Sequence, residues 1–130
     1  MLSLANVLFV ALGGAFGSVC RYLLGVRLFK AFGPGLPYGT FTANVVGGFL
    51  MGVLVGVLAL RGGGDQERWR VLLGVGVLGG FTTFSSFSLE TVLMIERRTY
   101  GLAAAYSLAS VALSITSLFL GLFLMRRLLA

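Results

Sequence analysis

Residues 99–125 form a run of 27 amino acids without a single charge. About 20 apolar residues in a helix cross the hydrocarbon core of a bilayer, so this run alone dictates the class of fold. Residues 38–60 make a second uncharged run of 23, and residues 71–89 a third of 19 that continues past Glu90 to Ile95. The first apolar segment, 2–29, is interrupted by Arg21 and closed by Arg27 and Lys30. Four spans fit in 130 residues and five do not. With 58% hydrophobic and 11% charged residues, the chain lacks the polar surface of a soluble domain. The expected architecture is all-α and integral to the membrane: a single transmembrane domain over 1–130, with spans at about 2–29, 38–60, 71–95 and 99–125. Residues 1–6 lack a basic n-region, so a cleavable leader is not expected.

Inside the third span lies Gly79-Gly80-Phe81-Thr82-Thr83-Phe84-Ser85-Ser86-Phe87-Ser88. Its polarity comes from hydroxyls and paired glycines, not from charge. Irregular backbone survives at membrane depth only where it is buried in protein or lines a wet cavity. The stretch is therefore expected to break the third helix at the functional centre. Carbonyls released there, around Gly79 to Thr82, can coordinate a hard cation without any acidic ligand.

Other chemistries are poorly supplied. The chain has no histidine and one cysteine, Cys20. That excludes an internal disulfide and argues against a zinc site. Glu90 is the one acidic residue within or near a span, and it has no base or nucleophile placed beside it, so an enzyme is not expected. The net charge of +6 belongs to arginines and a lysine at span ends, where long side chains reach the headgroups. No basic patch interleaved with aromatics points to nucleic acid, and no organic cofactor is implied.

Four spans place both termini on one side. Arg61, Arg68, Arg70, Arg126 and Arg127 lie on that side; Arg27, Lys30, Arg97 and Arg98 lie on the other. Five against four is almost no bias under the positive-inside rule. This is consistent with weak orientation, or with dual topology and an antiparallel homodimer. Gly13 and Gly17, Gly48, Gly52 and Gly56, and Gly76 and Gly80 recur at four-residue steps that let helix backbones approach closely. Four thin helices hardly enclose a polar pathway, so an oligomer is expected.

Several residues are candidates for that pathway. Arg21 is an intramembrane cation, either snorkelling to the interface or holding a vestibule charge that attracts an anion. Asn44 is either interhelical glue or a pore-lining donor. Phe84 and Phe87 share a helical face, and aromatic ring edges carry partial positive charge. Tyr106, Ser110 and Ser114 form a stripe on the fourth span, read either as back-bonding hydroxyls or as a track for a hydrogen-bond-accepting anion. Glu90 is read as structural, at a helix contact.

Together these segments resemble the CrcB/Fluc family of fluoride channels. The resemblance is carried by Gly13-Gly14-Ala15-Phe16-Gly17-Ser18-Val19-Cys20-Arg21-Tyr22, by Gly39-Thr40-Phe41-Thr42-Ala43-Asn44 with Gly47, and by the third-span stretch with Glu90. It implies a dual-topology antiparallel homodimer with two fluoride pores and a sodium ion at the dimer centre, held by carbonyls that map to Gly79 and Thr82. It also implies that Phe84 and Phe87 line the pore as ring-edge ligands near Asn44, that the hydroxyls of Ser85 and Ser86 belong to the same set, and that Tyr106, Ser110 and Ser114 form the polar track. Ser86 stands where the family often has threonine. The implied physiology is passive export. Fluoride enters as its protonated acid and is trapped as the anion. The negative-inside potential then drives it out at about 2.3 kcal/mol per charge per 100 mV.

Two other readings compete. A small multidrug-resistance-type exporter also has four spans, but it needs an intramembrane carboxylate for proton exchange, and only Glu90 is available. A non-transporting subunit would need a partner chain.

Overall fold

The computed structural model describes residues 2–61 and 63–130. Met1, part of the leader expectation, and Gly62, part of the expected 61–70 loop, lie outside them. Four helical segments are long and apolar enough to cross a membrane: Leu4–Phe32, Tyr38–Arg61, Gly63–Glu96 and Tyr100–Leu129. The first is α1 (Leu4–Phe32) and the second α2 (Tyr38–Arg61). The third is composite. A 3-10 turn (Gly63–Asp65) leads into α3 (Gln66–Trp69), a π-helical stretch (Arg70–Leu78), α4 (Gly79–Phe81) and α5 (Phe84–Glu96). The fourth is α6 (Tyr100–Leu129).

Local chemistry sets the ends. Ser3 caps α1 by accepting the Asn6 N–H at 3.1 Å. α1 runs on past the expected end at residue 29, through Lys30, because Gly33 at φ 81° closes it with an N–H to the Phe29 carbonyl at 2.8 Å. The expected loop at 61–70 is largely helical. Its charges pair at i,i+3, with Glu67 to Arg70 at 2.8 Å and Asp65 to Arg68 at 4.0 Å, which suits a helical turn. Between α5 and α6 the chain reverses in three residues. Arg98 takes the left-handed conformation (φ 62°) that brings its N–H to the Ile95 carbonyl.

Packing pairs spans that are not neighbours in sequence. α2 lies along α6, and α1 lies along the π stretch and α4. Both contacts are made by glycines at backbone distance. A Cβ on Gly13 would stand 2.6 Å from the Leu72 carbonyl, and one on Gly17 would collide with that of Val77. Cβ atoms on Gly52 and Gly121 would collide with the Leu118 and Phe49 carbonyls. The glycine steps that pointed to assembly are thus used within one chain, joining α1 to the third span and α2 to α6. Lipid offers no hydrophobic drive between helices, so such close packing supplies much of the association energy.

Replacing Gly52 with leucine is expected to prise α2 from α6. Overpacking of this kind costs about 1–3 kcal/mol or more, which a lowered unfolding midpoint in detergent would reveal. An unchanged midpoint would show that the α2–α6 approach is dispensable.

Candidate functional site

The break in the third span falls on two threonines. Gly79 and Gly80 remain helical, Gly79 at φ −61° and ψ −37°, whereas Thr82 (−86°, 158°) and Thr83 (−153°, 127°) are extended. Gly80 serves packing instead: a Cβ on it would stand 2.5 Å from the Gly14 carbonyl of α1. Thr82 ends the first half by giving both its N–H (3.0 Å) and its hydroxyl (2.9 Å) to the Leu78 carbonyl. Thr83 begins the second half as the N-cap of α5, its hydroxyl accepting the Ser86 N–H at 3.2 Å.

An extended pair inside a span leaves peptide groups to be satisfied. Asn44 on α2 does this for Thr83. Its Oδ1 accepts the Thr83 N–H at 2.8 Å, and its Nδ2 donates to the Thr83 carbonyl at 2.9 Å. The carboxamide acts as a peptide from a neighbouring strand would. Of its two N–H groups only one is committed to Thr83. Gly47, one turn along α2, makes room: a Cβ there would collide with Thr82 Cγ2.

The same bonds redistribute the carbonyls. In an unbroken helix the Thr83 N–H would serve the Gly79 carbonyl and the Ser86 N–H that of Thr82. Here they serve Asn44 and the Thr83 hydroxyl. The Gly80 carbonyl is met by Arg21 Nε of α1 at 3.3 Å. The carbonyls of Gly79 and Thr82 have therefore lost their helical donors. Among the described residues no group of three or more His, Cys, Asp or Glu side chains converges. Uncharged backbone oxygens are thus the donors the break offers, and they suit a hard cation such as sodium.

Beside the break lies a cavity of about 380 Å³. Asn44, Phe84, Phe87, Ser110 and Ser114, five of the residues expected at the pathway, line it together with Thr83. The ring centroids of Phe84 and Phe87 are 5.6 Å apart, and Tyr106 continues the row 5.4 Å from Phe87. Ser110, 4% exposed, and Ser114 each bury a hydroxyl that makes no hydrogen bond among the described residues. Ser110 stands near the Tyr106 hydroxyl without reaching hydrogen-bond geometry. Neither serine bonds back to the preceding turn, as Thr91 and Ser88 do on α5. A buried hydroxyl without a partner is a donor in wait for an acceptor.

The remaining candidates lie around this cavity. Ser85 is exposed, its hydroxyl 3.3 Å from that of Thr83. Ser86 contributes its backbone to the cap. Among the described residues Glu90 forms no ion pair with arginine or lysine. Its carboxylate accepts from Thr40 on α2 at 2.9 Å and from the Tyr106 hydroxyl on α6 at 3.0 Å, tying α5 to both. Thr40, Thr83 and Gly47 had no role assigned from the chain alone. Thr83 carried a usable signal, a threonine three residues before an N–H it caps. Thr40 carried none. Arg21 and Glu90 border a second cavity of about 410 Å³, with Lys30 and Tyr38 at its edge.

Four apolar helical segments, a broken third one and a cavity beside the break lined by Phe84, Phe87, Ser110 and Ser114 define a multi-pass membrane protein. Residues 8–122 match the family described as CrcB-like protein, Camphor Resistance (CrcB). The chain is 65% identical to the fluoride-specific ion channel FluC of Phenylobacterium zucineum (strain HLK1) over 124 residues, 95% of this chain and 98% of that one. It is 64% identical over 125 residues to the FluC of Caulobacter vibrioides (strain NA1000 / CB15N), covering 96% and 98% of the two chains. It is 52% identical over 123 residues to that of Agrobacterium fabrum (strain C58 / ATCC 33970), covering 95% and 98%. The chain belongs to the CrcB/Fluc family. It is a multi-pass protein of the plasma membrane and not an enzyme.

Asn44→Leu is expected to strip the Thr83 peptide of both partners. Each buried group left unpaired costs about 1–3 kcal/mol. The unfolding midpoint should fall, and the Thr83 amide should exchange with solvent faster. Unchanged exchange at Thr83 would separate Asn44 from the maintenance of the break.

Proposed function

We propose that this chain forms a fluoride-selective passive channel that exports fluoride from the cytoplasm. The observation that carries the reading is the pair of buried, unpartnered hydroxyls, Ser110 and Ser114, on the same cavity as Phe84 and Phe87. A small strongly hydrated anion gives up water only where donors replace it. Serine hydroxyls and the second N–H of Asn44 are such donors. The ring edges of Phe84 and Phe87 add weak positive potential without charge. A fixed cation in the path would hold the anion, whereas several neutral donors in series let it leave as readily as it enters. The Tyr106 hydroxyl, already given to Glu90, orients the end of this row. The membrane potential supplies the drive, about 2.3 kcal/mol per charge per 100 mV.

The pore is completed by a second copy in antiparallel orientation. Two observations support this. Phe84 is 76% exposed in the single chain, so a path running along its ring has no wall on the outer side, and the arginine and lysine distribution favours neither orientation. The carbonyls of Gly79 and Thr82 would hold a sodium ion at the centre of the dimer. Bound there, the ion would supply positive charge to the Gly79 and Thr82 oxygens, whose helical donors serve Asn44 and the Thr83 hydroxyl instead.

Purified protein in liposomes, with a potassium ionophore balancing charge, should release fluoride rapidly and retain chloride. Phe84→Ile and Phe87→Ile should each cut the fluoride rate at least tenfold while the protein stays dimeric. Full flux in both variants would remove the rings from the mechanism, and no flux from dimeric wild-type protein would remove the channel. Reporters fused to the C-terminus should appear on both faces of the membrane in comparable amounts; confinement to one face would exclude dual topology.

A further inference from the structure

Four carbonyls of the break, those of Gly79, Gly80, Thr82 and Thr83, are treated unequally. Asn44 engages that of Thr83, and Arg21 Nε engages that of Gly80. Those of Gly79 and Thr82 lose their helical N–H donors to Asn44 and to the Thr83 hydroxyl. Arg21 is the residue that sets Gly80 apart from Gly79, its immediate neighbour.

We infer that Arg21 is a positioning residue for the cation site: its Nε–H holds the Gly80 carbonyl out of the donor set, so that Gly79 and Thr82 remain the pair a sodium ion meets. The inference rests on the sodium reading above. A carbonyl released inside a membrane protein must find a donor or a cation. An untied Gly80 oxygen, one peptide from Gly79, would compete for the ion and alter the number and spacing of its ligands, which decide the ion a carbonyl site prefers. The placement of Arg21 is enforced by packing. A Cβ on Gly80 would stand 2.5 Å from the Gly14 carbonyl and 3.1 Å from Ser18 Oγ, so α1 lies directly against Gly80. Arg21 follows Ser18 by three residues, one turn further along that helix face.

Charge and hydrogen bond predict opposite signs. A guanidinium near a cation site repels the cation, so through charge alone Arg21 would weaken sodium binding and its removal would strengthen it. Through the hydrogen bond its removal weakens binding. Two near-isosteres separate these effects. Glutamine places an N–H where the arginine Nε stands, without the charge. Methionine places a methyl group there, also without the charge.

The test is the sodium concentration that half-protects purified protein from thermal unfolding in detergent, with N-methylglucamine replacing sodium at constant ionic strength. Wild type and Arg21→Gln should have midpoints within about threefold of each other. The midpoint of Arg21→Met should be at least about tenfold higher, the scale of one lost hydrogen bond. Equal midpoints in the two variants, or tighter binding in both, would overturn the role. If Arg21→Met yields no folded protein, Arg21→Lys carries the comparison, since it keeps the charge and lacks a donor at the Nε position. Its midpoint should also rise about tenfold, and a wild-type value would overturn the role. Wild-type protein with no sodium protection at all would overturn the sodium reading and the role of Arg21 with it. Sodium protection that does not distinguish the variants would overturn the role of Arg21 alone.

Discussion

The structure depends on one side chain standing in for a strand. Asn44 presents its carboxamide to the Thr83 peptide as a hydrogen-bonded neighbour would, accepting at 2.8 Å and donating at 2.9 Å. Without it, an extended peptide among four helices would leave a donor and an acceptor unpaired where water is scarce. With it, the third span can stop and restart. The first half then ends on released carbonyls, and the second begins with a capped helix whose first residue, Phe84, faces the cavity. Both proposed uses of the site, an anion path and a cation centre, arise from this pair of bonds.

The break also divides responsibility between helices. α1 backs the part of the third span before Thr82, through Gly13, Gly17 and the bond from Arg21 to Gly80. α2 and α6 hold the part after it, through Glu90 with Thr40 and Tyr106 and through the tilted ring contact of Phe87 with Tyr106. Glu90 is therefore spent on hydroxyls from two other spans. A carboxylate held in this way ties helices together, and the arrangement gives no support to the proton-exchange role that a drug carrier would ask of it.

Much of this was legible from residue types. Long uncharged runs define spans because the bilayer imposes a length, and hydroxyls clustered among glycines mark a break because lipid tolerates neither loose backbone nor idle polarity. Partnerships were less legible. The stretch from Gly79 to Ser88 reads as the break without showing where in it the helix stops: the interruption falls on Thr82 and Thr83, whereas Gly79 and Gly80 are helical and the missing side chain of Gly80 admits α1. Composition cannot separate a glycine that bends a chain from one that lets another chain approach. The glycine steps mark close approach of helix backbones, and that approach occurs, but the spacing does not say which helix approaches which. The charged stretch at 65–70 read as a loop because charge hides the helical period, and its i,i+3 ion pairs became apparent only in three dimensions. Thr40 as a partner of Glu90, fifty residues away, has no trace in local pattern.

The pairing of spans bears on how the protein is made. The glycine face of α1 is covered by the third span, and that of α2 by the fourth. Each of the first two helices thus enters the membrane a full span before its principal partner is synthesised. Their close-packing faces must wait in lipid, or against the insertion machinery, until the ribosome has delivered the rest of the chain. Tight interhelical packing is consequently a late event, and α6, translated after the other three spans, closes the bundle by docking on α2.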